Sequence, residues 1–245
     1  SDLRKSEIMH LYPSVNNYIW VITSNKLLLF QIIENKDNNN STQSIKLKQV
    51  HSLLFHLNKS ESLAQICYLP SENSFYLLSD RGHLFRHKIG TSDVSRISSI
   101  YGDGSHNLPT TSMIIADGFV WVSTIDQGII RYHIQTGTVD SIRDTSLKRV
   151  LSHNDVYQVL PIGNHQYLAV TWSGYTFIAL DKNNSKRYIT TIVENPLSSS
   201  QHYLENRMLT GYYDANLRML WIGTRGGGVN YVDLRLQYYN VTRQV

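Results

Sequence analysis

The chain has 245 residues, of which 41% are hydrophobic and 17% charged, and its formal net charge is +4. The apolar content suffices for a core and the Lys and Arg residues are scattered, so the composition predicts neither a disordered chain nor a nucleic-acid-binding protein. The single cysteine, Cys67, excludes an intrachain disulfide, and its apolar neighbours predict a buried strand residue. No apolar stretch reaches the roughly 18 residues that a membrane span requires.

Five apolar segments of similar pattern recur along the chain, each ending in Thr or Ser before a short polar or Gly-containing turn. In chain order they cover residues 17–23, 73–79, 118–124, 165–171 and 218–224. A second apolar run follows each turn, over residues 27–33, 83–89, 128–134, 175–180 and 228–233. The repeats are spaced by 45 to 56 residues when they are aligned on Trp20, Tyr76, Trp121, Leu168 and Trp221. This spacing of short strands indicates β-propeller blades.

Each repeat has room for two further strands, one before the first apolar segment and one after the second. The preceding strands are predicted, for example, over residues 112–116, 156–162 and 207–213. The following strands are predicted over residues 45–50, 94–100, 139–142, 189–193 and 237–241. The polar segment 34–43 is predicted to be an exposed loop of the first repeat. The sequence therefore predicts an all-β fold of about five four-stranded antiparallel meanders.

Residues 1–245 are predicted to form a single β-propeller domain, with approximate blades over 1–52, 53–101, 102–145, 146–200 and 201–245. The strands are apolar on both faces, which favours sheets stacked between neighbouring sheets. We therefore expect Trp20, Trp121 and Trp221 to be buried packing residues. The Thr residues that end the aromatic strands are expected to pack in the strand and to hydrogen-bond the turn that follows; they are Thr23, Thr124, Thr171 and Thr224.

The fifth repeat carries the most specific motif, Leu-Trp-Ile-Gly-Thr over residues 220–224, followed by a Gly-rich turn at 226–228 and a second strand that ends at Asp233. This pattern closely resembles the two-component regulator propeller repeat. The fourth repeat resembles the same motif over residues 151–156. The third repeat resembles it at Leu108-Pro109, over 121–124 and at Gly128, whereas the first two repeats are degenerate.

Proteins of that family are membrane-spanning hybrid two-component sensors, mostly of gut Bacteroidetes. Their periplasmic part, which resembles two seven-bladed propellers and a β-sandwich, senses oligosaccharides from complex glycans and signals to a cytoplasmic histidine kinase. The resemblance implies a periplasmic fragment of such a sensor, associated with the membrane only through the parent protein. It also implies an oligosaccharide or other small ligand, and either a homodimer or further blades of the parent protein as partners.

The order of the strands within a blade indicates where a ligand would bind. In a four-stranded meander, the turn after the second strand and the residues before the first strand lie at the same end of the blade. Aromatic rings beside polar groups suit a sugar there, because a pyranose has an apolar face and a rim of hydroxyl groups. Trp172 is notable because it follows Thr171 in a turn and has no evident role in the core. The predicted ligand-binding residues are Trp172, Arg225, Arg81, Asp126, His153, Asn154, Asp155 and Glu205.

Two other functions remain open on the sequence. A propeller glycosidase or lyase would need paired carboxylates, but the sequence alone pairs none of its acidic residues. An intracellular protein-binding scaffold is disfavoured because the Gly-His and Trp-Asp signature of that class is missing. His83 and His87 fall on one face of a predicted strand, about 13 Å apart, which is too far for one metal to bridge. We therefore predict a chain that is not an enzyme and has no cofactor and no metal.

Overall fold

The computed structural model describes residues 7–14, 17–36, 43–102, 106–184, 187–194 and 207–235. The chain divides into two compact units, Ser1–Leu108 and Pro109–Val245. Unit 1 contains two antiparallel sheets and unit 2 contains three, and in each sheet the strands follow one another in sequence order. Within the described residues, no helix is long and apolar enough to span a membrane.

Both sheets of unit 1 are four-stranded meanders. The first sheet consists of β1 (Ile8–Pro13), β2 (Tyr18–Thr23), β3 (Lys26–Lys36) and β4 (Gln43–Leu54). The second sheet consists of β5 (Leu63–Leu69), β6 (Ser74–Ser79), β7 (His83–Lys88) and β8 (Val94–Ser99), with a short 3-10 helix at Pro70–Glu72.

Unit 2 contains three sheets of the same kind. The first consists of β9 (Thr110–Ala116), β10 (Phe119–Thr124), β11 (Ile129–His133) and β12 (Val139–Ile142). The second consists of β13 (Val156–Gly163), β14 (Gln166–Thr171), β15 (Gly174–Leu180) and β16 (Tyr188–Glu194). The third has three described strands, β17 (Met208–Asp214), β18 (Met219–Thr224) and β19 (Val229–Asp233).

The predicted all-β fold of antiparallel meanders is confirmed. The fourth strand predicted for the last blade, residues 237–241, lies outside the described residues. The prediction that 34–43 is a loop is wrong at both ends, since β3 and β4 pair as far as Lys36 and Gln43. Strand pairing satisfies the backbone hydrogen-bonding groups of these polar residues, which their side-chain composition does not reveal.

Within each unit, successive blades pack face to face through residues near the middle of each second strand. In unit 1 the ring of Trp20 lies 5.1 Å from that of Phe75 in the next blade. In unit 2 the ring of Trp121 lies 4.3 Å from that of Tyr167, and Leu168 shares a core cluster with Leu220. Each contact joins one blade to its successor, so the cores lie between the sheets.

Trp20 and Trp121 are buried as predicted, with 3% and 1% exposure, and Cys67 is buried in β5. The expectation that Trp221 is buried is wrong, because 37% of it is exposed. Trp221 belongs to β18 of the last blade, and no described sheet covers the face of that blade on which it lies. Trp221 would be buried only if a following sheet contributed a side chain that packs against it, as Tyr167 packs against Trp121.

The threonines at the strand ends bond the turns as predicted. The hydroxyl of Thr124 donates to the carbonyl oxygen of Gly128 at 2.8 Å, and that of Thr224 donates to the carbonyl oxygen of Gly228 at 3.0 Å. In the first blade, Thr23 Oγ1 accepts the backbone N–H of Lys26 at 3.1 Å. Each hydroxyl thus closes the turn between the second and third strands.

Candidate ligand-binding site

The turn after the second strand is joined to the start of the blade in four blades. The residue that follows the terminal Thr or Ser donates its backbone N–H to the carbonyl oxygen of the residue just before the first strand, over 2.8 to 3.0 Å. The bonded pairs are Asp80–Ser62, Ile125–Pro109, Trp172–Asp155 and Arg225–Arg207. These bonds place the two kinds of predicted site residue at the same end of each blade.

Trp172 is half-buried in the turn between β14 and β15. The residues on either side of it are fixed by buried hydroxyl groups. Thr171 Oγ1 lies 2.7 Å from Ser152 Oγ, and Ser173 Oγ donates to the carbonyl oxygen of Ser152 at 2.9 Å. These bonds hold the turn, and with it the indole, against the segment that precedes β13.

The indole of Trp172 contacts residues from two blades. The ring of Tyr157, from β13 of the same blade, is nearly parallel to it at 19°, with centroids 6.0 Å apart. The guanidinium carbon of Arg207, just before β17 of the next blade, lies 3.7 Å from the centroid of the indole. A cation this close to the face of a Trp ring is in cation–π contact. The site is thus formed where the second and third blades of unit 2 meet.

The two blades are linked beside this contact by Gln158. Its Oε1 atom accepts the backbone N–H of Gly211 at 2.8 Å and the hydroxyl of Thr210 at 2.9 Å. A Cβ atom on Gly211 would lie 2.8 Å from Leu160, so glycine allows this close approach of the sheets. The packing between these two sheets therefore fixes the position of Arg207 relative to Trp172.

Asp155 connects the site to the first blade of unit 2. Its Oδ1 atom accepts the backbone N–H of Asp126 at 2.8 Å. Its own backbone N–H donates to His153 Nδ1 at 2.9 Å. That nitrogen therefore acts as an acceptor, so the ring proton of neutral His153 is on Nε2.

Tyr157 lies within the electrostatic influence of several of these residues. Burial raises the pKa of its hydroxyl, and the Asp155 carboxylate raises it further, against the opposing effect of Arg207 and Arg225. The hydroxyl therefore stays protonated at neutral pH and can donate a hydrogen bond. Arg225 itself is exposed at the start of the turn that follows β18.

The structure brings together most of the residues predicted in unit 2, namely Trp172, Asp155, His153, Asp126 and Arg225. Asn154 is nearby, but its side-chain amide is bonded to the backbone of Asp144: Oδ1 accepts N–H at 2.7 Å, and Nδ2 donates to the carbonyl oxygen at 3.3 Å. Arg81 belongs to unit 1 and follows β6. Glu205 lies outside the described residues.

Tyr157 and Arg207 were not predicted as site residues. Arg207 occupies the position before the first strand in its repeat, as Asp155 does in the previous one. This shared position was a usable signal, since the turn of one blade lies beside the start of the next. Tyr157 gave no such signal, because strand alternation alone does not show that its ring stacks against Trp172.

Unit 1 contains an aromatic cleft of about 490 Å³ that the sequence did not predict. It lies between the two blades; half of its lining residues are aromatic, among them Tyr12, Tyr18, Tyr68 and Phe75, and none of the described lining residues is charged. Tyr68 donates to Asn73 Oδ1 at 2.8 Å at its edge. Its lining suits a neutral ligand, in contrast to the arginine-containing site of unit 2.

A buried hydrogen bond in unit 1 joins His83 Nδ1 to Glu61 Oε1 at 2.7 Å. Burial raises the pKa of Glu61, but hydrogen bonds from Ser79, the Asn58 backbone and His83 outweigh it and hold the pKa below its usual value. Within the residues that the structure describes, no three His, Cys, Asp or Glu side chains form a group that could hold a metal ion. We interpret the pair as structural.

No protein-family model matches the chain, and no curated protein is detectably related to it. Among solved structures, it is similar to the extracellular domain of a putative one-component system from B. thetaiotaomicron, with a TM-score of 0.59 and 14% identity over 92% of this chain and 28% of that one. The WD40 β-propeller domain of Doa1 gives a TM-score of 0.54 and 10% identity over 94% of this chain and 66% of that one.

A chain of the mitotic checkpoint complex gives a TM-score of 0.58 and 8% identity over 91% of this chain and 62% of that one. At such identities the likeness shows the fold, which is that of β-propeller blades. The chain spans two thirds or less of the length of each of these three structures.

Proposed function

We propose that this chain is the ligand-binding part of an extracytoplasmic sensor, and that it recognises oligosaccharides derived from glycans without chemically altering them. The observation that carries the proposal is the cluster around Trp172. Two stacked rings, Trp172 and Tyr157, lie beside the hydrogen-bonding side chains of Arg207 and Asp155. Apolar ring surface next to a few oriented polar groups is the usual composition of a sugar-binding site.

The repeat motif supports the signalling part of this proposal. The third, fourth and fifth repeats resemble the two-component regulator propeller repeat, and a structure of the same fold is an extracellular domain of a putative one-component system. We infer a periplasmic location, attachment to the membrane through a parent protein that carries a histidine kinase, and a homodimer or neighbouring blades as partners. Ligand binding would act by shifting the equilibrium between two states of the receptor.

The first test is the thermal melting of the whole chain in the presence of a panel of glycan-derived oligosaccharides. A ligand at 100 times its Kd should stabilise the folded state by about 2.7 kcal/mol, which raises the melting temperature measurably. We expect one glycan class to raise the melting temperature, and Trp172→Ala to abolish the rise. Trp221→Ala is the matched control, because it removes a partly exposed tryptophan of the same unit that lies outside the cluster.

Three other outcomes would contradict parts of the proposal. If no oligosaccharide raises the melting temperature, the chain is not the ligand-binding part of a sugar sensor. If the rise survives Trp172→Ala and is lost in Tyr18→Ala, the ligand binds in the cleft of unit 1 instead. Consumption of the sugar, followed by chromatography, would show that the chain is an enzyme.

A further inference from the structure

The guanidinium of Arg207 has an unusual environment. Its central carbon lies 3.7 Å from the centroid of the Trp172 indole, and its Nε atom is buried with no hydrogen-bond partner among the described residues. Among the described residues, Arg207 forms no ion pair with an acidic side chain. A buried N–H group that lacks a partner costs free energy, so the group is well placed to gain from a ligand that supplies an acceptor.

Arg131 in the same unit shows the structural alternative. Its guanidinium also lies over an aromatic ring, 5.2 Å from the centroid of Trp121. However, Arg131 is held by two bonds to the Asp140 carboxylate, at 2.7 and 2.8 Å. Arg131 is thus neutralised by an acid of its own blade. Arg207 also lies over an aromatic ring, but within the described part of the chain it is paired with no acidic side chain.

The surroundings of Arg207 add positive charge. Arg225 is bonded to it through the backbone at 2.8 Å, and both guanidinium groups lower the pKa of Tyr157. The nearest acid in the cluster, Asp155, already accepts the backbone N–H of Asp126. His153, whose Nδ1 accepts the backbone N–H of Asp155, supplies no negative charge.

These observations refine the role of Trp172. One face of its indole is covered by Arg207, so that face supports the guanidinium and is closed to a sugar ring. Stacking on an aromatic ring orients the planar guanidinium and leaves its N–H groups at the edge available for an oxyanion. Carboxylates and other oxyanions can accept two such hydrogen bonds at once.

We propose that this site selects an anionic ligand, in which Arg207 and Arg225 bind the acidic group and the rings of Trp172 and Tyr157 contact the sugar. The class is an acidic oligosaccharide, whose anion is either the carboxylate of a uronic acid or a sulfate ester. This inference rests on the proposed function, because it specifies the ligand of the same site.

The test is isothermal titration calorimetry of the whole chain with three probes of equal length: oligogalacturonides, neutral galacto-oligosaccharides and sulfated galactan oligosaccharides. We expect one acidic probe to bind at least tenfold more tightly than the neutral probe, with an affinity that falls as NaCl is raised. Arg207→Gln should lower the affinity for the acidic probe at least tenfold and lower that for the neutral probe by a clearly smaller factor. Arg207→Lys should recover part of the loss, because it restores the charge without the planar group.

Arg187→Gln is the charge-matched control, since Arg187 is exposed at the connection between β15 and β16, at the other end of the blade from Trp172. Its binding of every probe should equal that of the unaltered chain. Equal affinity for neutral and acidic probes, or an Arg207→Gln variant that melts normally and binds the acidic probe as before, would overturn the anionic ligand and leave the sugar sensor standing. Failure of all three probes to bind would overturn the anionic ligand, and the absence of any melting shift across the wider glycan panel would overturn the sugar sensor as well.

Discussion

The first and last blades of unit 2 contain the same motif in two different environments. Trp121 and Trp221 both stand three residues before the threonine that ends the second strand. Trp121 is 1% exposed and stacks near Tyr167 of the next blade, whereas Trp221 is 37% exposed. The motif therefore specifies the blade itself, and the burial of its tryptophan is determined by the sheet that follows.

The packing rule behind this difference holds for three pairs of blades. In each pair, the first residue lies three positions before the Thr that ends the second strand of its blade. It packs against a residue that lies four positions before the Thr or Ser that ends the second strand of the next blade. Ring contacts show this for Trp20 with Phe75 and for Trp121 with Tyr167, and Leu168 and Leu220, at the same two positions, belong to one core cluster. Trp221 occupies the first of these two positions, and among the described residues no following blade provides a side chain at the second. The cross-strand neighbours of Trp221 are Tyr212 and Tyr231, which are 65% and 66% exposed.

The largest expected difference is between the two tryptophans. Trp121→Ala removes a fully buried ring and leaves a cavity, so it should lower the free energy of unfolding by about 3–5 kcal/mol. Trp221→Ala removes a ring that is already partly hydrated, so its effect should be about 1 kcal/mol. Urea unfolding followed by far-UV circular dichroism measures both. Equal losses would mean that the last blade is covered in solution.

The two glycines that close the equivalent turns should differ for a steric reason. Gly128 has a φ of 69°, and a Cβ atom there would lie 2.4 Å from the carbonyl oxygen of Ile142. Gly228 has a similar φ of 75°, but among the residues that the structure describes, a Cβ atom there would meet nothing within 4 Å. Both alanine variants incur the left-handed penalty of about 1–2 kcal/mol, and Gly128→Ala adds about 1–3 kcal/mol of steric strain.

The same unfolding measurement separates these two contributions. Gly228→Ala reports the backbone penalty by itself, so the difference between the variants is the clash in the covered blade. If the two glycine variants lose the same stability, the turn at Gly128 relaxes enough to accept a Cβ atom, and the closer packing assigned to that blade is wrong.

The strand-ending threonines provide a smaller contrast between the middle and last blades. In the middle blade, the buried hydroxyl of Thr171 bonds to the carbonyl oxygen of Gly174 and lies beside Ser152. Thr171→Val leaves these groups unsatisfied and should cost about 1–3 kcal/mol. Thr224→Val removes an exposed bond to Gly228, where water can replace the hydroxyl, and should cost less than about 0.5 kcal/mol. Thermal melting of both variants checks the order, and a reversed order would contradict it.

These contrasts show what the sequence could and could not predict. The blades followed from short apolar strands, a spacing near that of a propeller repeat, and Thr and Gly at the turns, all of which act within one sheet. The burial of Trp221 could not be predicted correctly from its motif, because burial depends on the neighbouring sheet. The strand order within a blade predicts Trp172 and Asp155 at the same end of the blade, whereas the position of Arg207 on the indole depends on the packing between two blades.

Asn154 shows that a polar residue at the same position can also serve the backbone. Asn154 lies between His153 and Asp155, in the segment before β13 where ligand-binding residues are predicted. Its amide would suit a sugar hydroxyl. The structure instead uses this amide to bond the backbone of Asp144, whose carboxylate in turn accepts the N–H groups of Val150 and Leu151. A polar residue before a strand can serve the connection between blades, and sequence position does not separate this role from ligand binding.

The smallest expected change in stability is at the exposed face of the last blade. Tyr231→Ser should alter the free energy of unfolding by no more than about 0.5 kcal/mol, because 66% of Tyr231 is exposed. The same change should reduce self-association at high protein concentration, since contiguous exposed aromatic rings favour association. Sedimentation velocity at several concentrations measures the association, and urea unfolding measures the stability. A loss of more than about 2 kcal/mol would show that another part of the protein buries this face, which would remove the contrast between Trp121 and Trp221.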